Sequence, residues 1–335
     1  MFKIGVFDHV DKNGLPGTQF YEARLKLIEL YDRAGFYAYH CAEHHLAPSG
    51  LAPSPNLYLA AIAQRTKRLR FGPLVYQMPT YHPLRLIEEI CMLDQMSGGR
   101  LELGCGRGSG PAEIQYFGQG YDTAQQVYSD VLDMVLKVLA EGKISFPGAP
   151  ATFQNLPLQI ECVQKPHPPL WYGAHSVAGA HQAAVKQQNI VSLDTAAETR
   201  TYVDEFVTTH RQQWGDAPLP MTGISRFVIV GDTDAQALEI ARRAYKKWWE
   251  NFTNTSRIHG YHILHGRPSD FDTMQSQGKG IAGSVDSVVA QIKSEMEISG
   301  CNYFVGQFAF GDLTLAEAEA SLDLFVRKVV PALEG

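Results

Sequence analysis

The chain reads as an α/β protein of the (β/α)8 class, a TIM barrel with insertions. Strand-like apolar runs alternate with amphipathic helical runs about eight times, which argues a parallel sheet with helical crossovers. The chain has 335 residues, 45% of them hydrophobic, and that many units over this length suit a closed barrel better than an open sheet. Polar and glycine-rich motifs fall just past the strand-like runs, the end of a barrel that gathers functional groups. An open Rossmann-like sheet is the alternative.

The elements follow in order. Phe2–Phe7 is a buried strand pattern, and Thr18–Arg33 is an amphipathic helix ending before Gly35. Tyr37–Cys41 is a strand, followed by the polar cluster Glu43-His44-His45. Pro55–Thr66 is helical and Leu69–Tyr76 is a third strand. Pro83 suits a first helical position, because it lacks an N–H and its φ is already helical. Leu86, Ile87, Ile90 and Leu93 then form one apolar stripe, and Ser97-Gly98-Gly99 stops the helix. Arg100–Gly104 is a short strand opening into Gly104-Cys-Gly-Arg-Gly-Ser-Gly110. Ala124–Glu141 is a long helix. Residues 143–169 break the rhythm with prolines and β-like fragments and read as an insertion. Strand–helix pairs resume with Leu170–Gly173 and Val177–Gln188, Asn189–Leu193 and Ala196–Gln213, then Ile224–Val230 and Asp234–Phe252. Residues 254–283 show little periodicity. Val285–Ile298, Cys301–Gln307 and Leu315–Leu333 close the chain.

Composition excludes several classes. The net charge of −6 with dispersed cations disfavours nucleic acid and anionic membranes as partners. The five cysteines are irregularly spaced without a CxxC, which suggests reduced thiols in a cytoplasmic protein. No signal-like segment opens the chain, since Asp8, His9 and Asp11 interrupt it. No run approaches the roughly 18 apolar residues of a membrane helix.

The glycine run at 104–110 has the wrong spacing for a dinucleotide fingerprint, and no Walker-type loop occurs. It serves either a turn needing positive φ or an anion seat. Arg107 favours the second, since a guanidinium grips phosphate oxygens in bidentate fashion. His175-Ser176 opens the helix near Val177; free N–H groups and a hydroxyl there make a second anion seat or an ordinary N-cap. These loops follow the fourth and fifth strands, so in a barrel they are neighbours and can grip one phosphate. His44 is either a hydrogen-bonded loop histidine or a proton carrier titrating near neutral pH. His40 and His44 lie four apart on a strand-like run, which spans roughly 13 Å, too far for one metal ion. His259-x-x-His262-x-x-His265 has metal-like spacing but no nearby carboxylate. The expectation is no metal.

Several motifs carry a resemblance. They are Ala42-Glu43-His44-His45, Met78-Pro-Thr-Tyr-His-Pro-Leu-Arg85, Leu93-Asp-Gln-Met-Ser-Gly-Gly-Arg100 and Gly104-Cys-Gly-Arg-Gly108. Pro166-His-Pro-Pro-Leu-Trp-Tyr172, Gly283-Ser-Val-Asp286 and Gln307-Phe-Ala-Phe-Gly311 complete the set. The chain resembles the bacterial luciferase-like, flavin-dependent monooxygenases over nearly its whole length. The resemblance implies one domain over 1–335, with the insertion at 143–169 and a mobile lid at 254–283. It implies reduced FMN delivered by a separate NAD(P)H:flavin reductase. Dioxygen would add to that flavin to give a hydroperoxide that oxygenates a small organic substrate. His44 takes the catalytic position, supported by Glu43 and His45. Arg107 and Ser176, with the amides of His175 and Val177, would hold the FMN phosphate. Leu74-Val75 matches a position where the family often has a cis peptide beneath the isoalloxazine. A homodimer is implied as well. Two departures matter: Gly106 stands where light-emitting members carry a reactive cysteine, and His175 where they carry a glutamate. Both weaken any expectation of long-chain aldehyde luminescence. The competing readings are a deazaflavin-dependent hydride-transfer oxidoreductase and a non-catalytic flavin-binding subunit.

Overall fold

The structure is a computed structural model that describes residues 2–108, 110–146, 151–262 and 267–334. Its strands, in chain order, are β1 (Lys3–Asp8), β2 (Ala38–Cys41), β3 (Arg70–Pro73), β4 (Tyr76–Gln77), β5 (Leu103–Gly106), β6 (Lys143–Ile144) and β7 (Leu156–Pro157). After them come β8 (Leu170–Gly173), β9 (Asn189–Ser192), β10 (Thr222–Val230), β11 (Gly280–Gly283) and β12 (Tyr303–Gln307). The helices are α1 (Gly17–Ala34), α2 (Pro55–Arg65), α3 (Pro83–Ser97), α4 (Pro111–Tyr116), α5 (Ala124–Glu141), α6 (Val177–Val185) and α7 (Ala196–Trp214). Then follow α8 (Asp234–Phe252), α9 (Asn254–His259), α10 (Phe271–Ser276), α11 (Val285–Ser299), α12 (Leu315–Leu324) and α13 (Val330–Glu334), with a π turn at Phe325–Val329 between the last two.

Parallel pairing runs β3-β2-β1-β12-β10-β9-β8-β5, with β4 beside β5. A parallel bridge between Phe71 of β3 and Leu101, two residues before β5, brings the two ends of that path together. The sheet is therefore a (β/α)8 barrel and not an open Rossmann-like sheet. Side chains that alternate inward fill it: Phe7, Trp171, Val191, Tyr303 and Val305 form one buried cluster. The larger core lies between sheet and helices, where α3 buries Leu86, Ile87, Ile90 and Leu93. That helix begins at Pro83 and stops at Gly98, whose φ of 64° is left-handed, as its sequence predicts.

Most expected elements match within one or two residues, and six differ. The strand expected at Arg100–Gly104 runs instead from Leu103 to Gly106. The third strand is split, with a cis peptide at Leu74–Val75 between β3 and β4. The glycine run is followed by α4, which no periodicity predicted because it spans six residues. The weakly patterned stretch 254–283 holds α9, α10 and the strand β11, which pairs with the far half of β10. The helix expected to reach Gln188 ends at Val185, and Gln187 takes a φ of 52°. The last helix is interrupted by the π turn.

The stretch 143–169 contains the antiparallel pair β6–β7. It is tied to α3 by Gln164, whose backbone N–H donates to Asp94 at 2.8 Å. Residues 147–150 of that stretch, and 263–266 of 254–283 including His265, lie outside the described residues.

Candidate active site

The C-terminal ends of the barrel strands surround a cavity of about 400 Å³. Register explains which loops meet there. β5 pairs with β8 through Leu103–Leu170 and Gly104–Trp171, so the loops after them are neighbours. Arg107 leaves the end of β5, and His175-Ser176 leave the end of β8. All three line the cavity, as do Glu43, His44, Leu74 and Val75. His45 and Val177 do not. The His45 ring turns away to pair with Glu43 at 2.9 Å and to meet the edge of Phe117. Val177 is half exposed at the start of α6.

His44 is held by a carboxylate that no sequence motif singled out. Its Nδ1 lies 3.1 Å from Glu113 Oε1, and Nε2 has no partner among the described residues. Glu113 sits in the first turn of α4 and is 3% exposed. It also accepts from the His45 backbone N–H at 3.2 Å and from Gln77 Nε2 at 2.6 Å. Gln77 Nε2 donates as well to the Glu43 carbonyl at 2.8 Å, locking the two loops together. Burial alone would push the His44 pKa down. The adjacent Glu113 carboxylate, helped by Glu43, outweighs burial and holds it above the ordinary imidazole value. Glu113 responds in the opposite sense: burial raises it, but His44, Gln77 and the His45 amide hold its carboxyl below the ordinary value.

Glu43 is buried beneath this layer. It accepts from the Tyr81 hydroxyl at 2.8 Å and from the Gln77 backbone N–H at 3.2 Å. His40, by contrast, points into the barrel, 3.0 Å from the Tyr303 hydroxyl. Burial drives it down to about 3, so it stays neutral. No cluster of His, Cys, Asp and Glu fit to hold a metal occurs among the described residues.

On the other side of the cavity, the Arg107 guanidinium lies over the Tyr121 ring at 4.9 Å and donates to its hydroxyl at 3.0 Å. Its Nη1 has no protein partner among the described residues. The Ser176 side chain accepts from the Gly179 N–H at 3.1 Å, capping α6. Its own O–H has no acceptor among the described residues, so the hydroxyl faces the cavity with a donor to spare. His175 Nδ1 lies 3.2 Å from Asp194, which also accepts from Tyr202. Burial raises the Asp194 pKa, and those two partners more than reverse it.

Two further residues reach the cavity without a sequence signal. His9 lies parallel to His44, with centroids 6.2 Å apart. Burial, then Arg267 and His44, holds the His9 pKa well below the ordinary value. Arg267 arrives from the weakly patterned stretch and covers Trp248 and Phe252. The helix start that carries Glu113 did leave a trace: Gly110-Pro111 with an acid two residues on is an N-terminal signature.

Comparison with known proteins agrees with this architecture. Residues 2–302 match the family model described as luciferase-like monooxygenase. A protein of Sinorhizobium fredii is 38% identical, covering 93% of this chain and 92% of that one. The oxygenase component of a flavin-dependent trigonelline monooxygenase from Acinetobacter baylyi is 24% identical, over 98% of this chain and 95% of its own. Among solved structures, the oxygenating constituent of 3,6-diketocamphane monooxygenase from Pseudomonas putida, in complex with FMN, superposes with a TM-score of 0.78. It is 18% identical and the match covers 99% of both chains, a likeness of fold. Among the described residues, no helix is long and apolar enough to cross a membrane.

Proposed function

The chain belongs to the luciferase-like monooxygenase family, flavin-dependent oxidoreductases, and we propose that it is the oxygenase of a two-component system using reduced FMN and dioxygen on a small organic substrate. One observation carries this reading: His44, Arg107 and Ser176 line a single cavity. The donor set suits the cofactor. Arg107, the Ser176 hydroxyl and the free N–H groups opening α6 offer charge and donors to a phosphate. Leu74, Val75, Val191 and Leu193 offer an apolar slot to a flat ring system. The A. baylyi relative is an oxygenase component and the P. putida neighbour holds FMN, which supports a separate reductase as electron source.

Bound reduced FMN supplies the electrons that activate dioxygen. The chain supplies the surroundings. Glu113 fixes the His44 ring and keeps a proton on Nδ1, so Nε2 is the atom that delivers or accepts a proton in the cavity. The apolar slot excludes water, which protects a reactive oxygen species from side reactions. Gly106 leaves no thiol at its position, and His175 is engaged with Asp194.

Anaerobic titration with reduced FMN tests the cofactor site. Arg107→Ala should weaken binding roughly tenfold or more, since a charge-assisted hydrogen bond contributes about 1.5–3 kcal/mol. Unchanged affinity would remove Arg107 from the phosphate seat. Product formation should require dioxygen; turnover under argon would favour hydride transfer to a deazaflavin instead.

A further inference from the structure

We propose that Arg267 recognises an anionic substrate, a carboxylate carried on a small apolar frame, an inference that rests on the flavin-monooxygenase reading above. Arg267 lines the same cavity as His9, His44 and Phe252. Its guanidinium lies 5.3 Å from the Trp248 ring and 5.2 Å from the Phe252 ring. Those rings stack on one another, with centroids 4.7 Å apart and planes within 13°. The guanidinium thus lies beside this stacked aromatic pair, within cation–π range of both rings.

What the guanidinium lacks is an anion in hydrogen-bond contact. Among the described residues no carboxylate, carbonyl or hydroxyl hydrogen-bonds Arg267. The acids around the cavity are committed elsewhere. Glu113 serves His44, Gln77 and the His45 amide. Glu43 serves His45 and Tyr81. Asp194 serves His175 and Tyr202. The neighbouring His9 stays neutral because burial suppresses its protonation. Burial presses the Arg267 pKa downward, and Tyr245 and the Asp194 carboxylate offset that only in part. A cation in a cavity wall without a hydrogen-bonded counter-ion is costly unless a ligand supplies the partner.

A carboxylate matches the guanidinium fork, two oxygens against two N–H groups. Phe7 and Phe252, which line the same cavity, offer apolar surface to a hydrocarbon frame. The FMN phosphate is not the natural partner in this arrangement, because Arg107 and Ser176 already form a seat on the paired loops after β5 and β8.

The test is a calorimetric titration with two acid–amide pairs, benzoate against benzamide and cyclohexanecarboxylate against cyclohexanecarboxamide. Each is run on FMN-loaded and on FMN-free protein. At least one acid should bind roughly tenfold or more tightly than its amide, the discrimination expected of one charge-assisted contact. Arg267→Gln should abolish that difference and Arg267→Lys should keep part of it, with FMN affinity moving by less than about twofold in both. Equal binding of acid and amide, or no binding of either acid, overturns the inference. So does a loss of FMN affinity in Arg267→Gln, which would give the guanidinium to the cofactor. Failure of the wild-type protein to bind FMN would instead sink the flavin reading, and the acid–amide comparison on the FMN-free protein would still decide the role of Arg267.

Discussion

Removing the Glu113 carboxylate lowers the proton affinity of His44, because that carboxylate is what raises it. Glu113→Gln should keep the hydrogen bond to the ring while losing the charge. The imidazole titration, followed by NMR, should move to lower pH, and the limb of the pH–rate profile set by His44 should move with it. Turnover should fall roughly tenfold or more, the usual effect of losing a group that orients a functional histidine. Glu113→Asp should recover part of it. The pair also has a stability signature. The raised His44 pKa contributes stability that is complete below the unfolded histidine value and fades as pH rises through the folded one. The lowered Glu113 pKa contributes stability that is complete above the unfolded glutamate value and fades as pH falls through the folded one. The stability gap between wild type and Glu113→Gln should therefore be widest between about pH 4.3 and 6.5, the unfolded values, and narrow on either side. A gap that does not vary with pH would mean that the two groups are not electrostatically coupled.

Element by element, what could be read in the sequence depended on length and on how local the signal was. Helices of fifteen or more residues such as α3 and α5 show full apolar stripes, and their bounds follow from Pro83, Gly98 and Gly142. His44, Arg107 and Ser176 were legible because each lies a few residues past a strand. Glu113 had only a faint trace, the Gly110-Pro111 helix start, since α4 is too short for a stripe. Strand β11 was hidden because Gly-Ile-Ala-Gly has one β-branched residue and two glycines. Arg267 was hidden for a different reason: its place is set by packing on Trp248 and Phe252, nineteen and fifteen positions earlier. Strand β5 also shows why its glycines belong to the barrel as much as to a ligand. A Cβ on Gly104 would meet the Pro73 carbonyl oxygen at 2.0 Å, and one on Gly106 would meet Val75 Cγ2 at 2.4 Å. The first obstacle is backbone and cannot rotate away. Gly104→Ala should cost about 1–3 kcal/mol by overpacking, read as a lower urea midpoint. Gly17→Ala, where an added Cβ meets nothing within 4 Å, should leave the midpoint nearly unchanged.

Across the whole molecule, the barrel closes at its thinnest point through one bridge, Phe71 to Leu101. The Phe71 N–H donates to the Arg100 carbonyl at 3.1 Å, and the Glu102 N–H to the Phe71 carbonyl at 2.8 Å. Side chains reinforce that seam. Glu102 is fully buried and accepts from Arg70 on β3, from the Tyr37 hydroxyl before β2 and from the Trp171 indole on β8. Arg70 goes on to the carbonyls of Gly99 and Leu101 and to the Gln164 side chain. The Arg70–Glu102 pair thus ties β3, β8, the start of β2 and the inserted stretch together at the N-terminal end of the barrel, away from the cavity. Glu102→Gln leaves the Arg70 charge without its counter-ion and should cost about 3 kcal/mol. Replacing both partners, Arg70→Met with Glu102→Leu, should cost less than the single change, because no lone charge is left behind. Urea unfolding should show the lower midpoint with an unchanged slope, while binding of the proposed flavin at the opposite end should stay near wild type. A midpoint equal to wild type in Glu102→Gln would mean that backbone pairing alone closes the barrel.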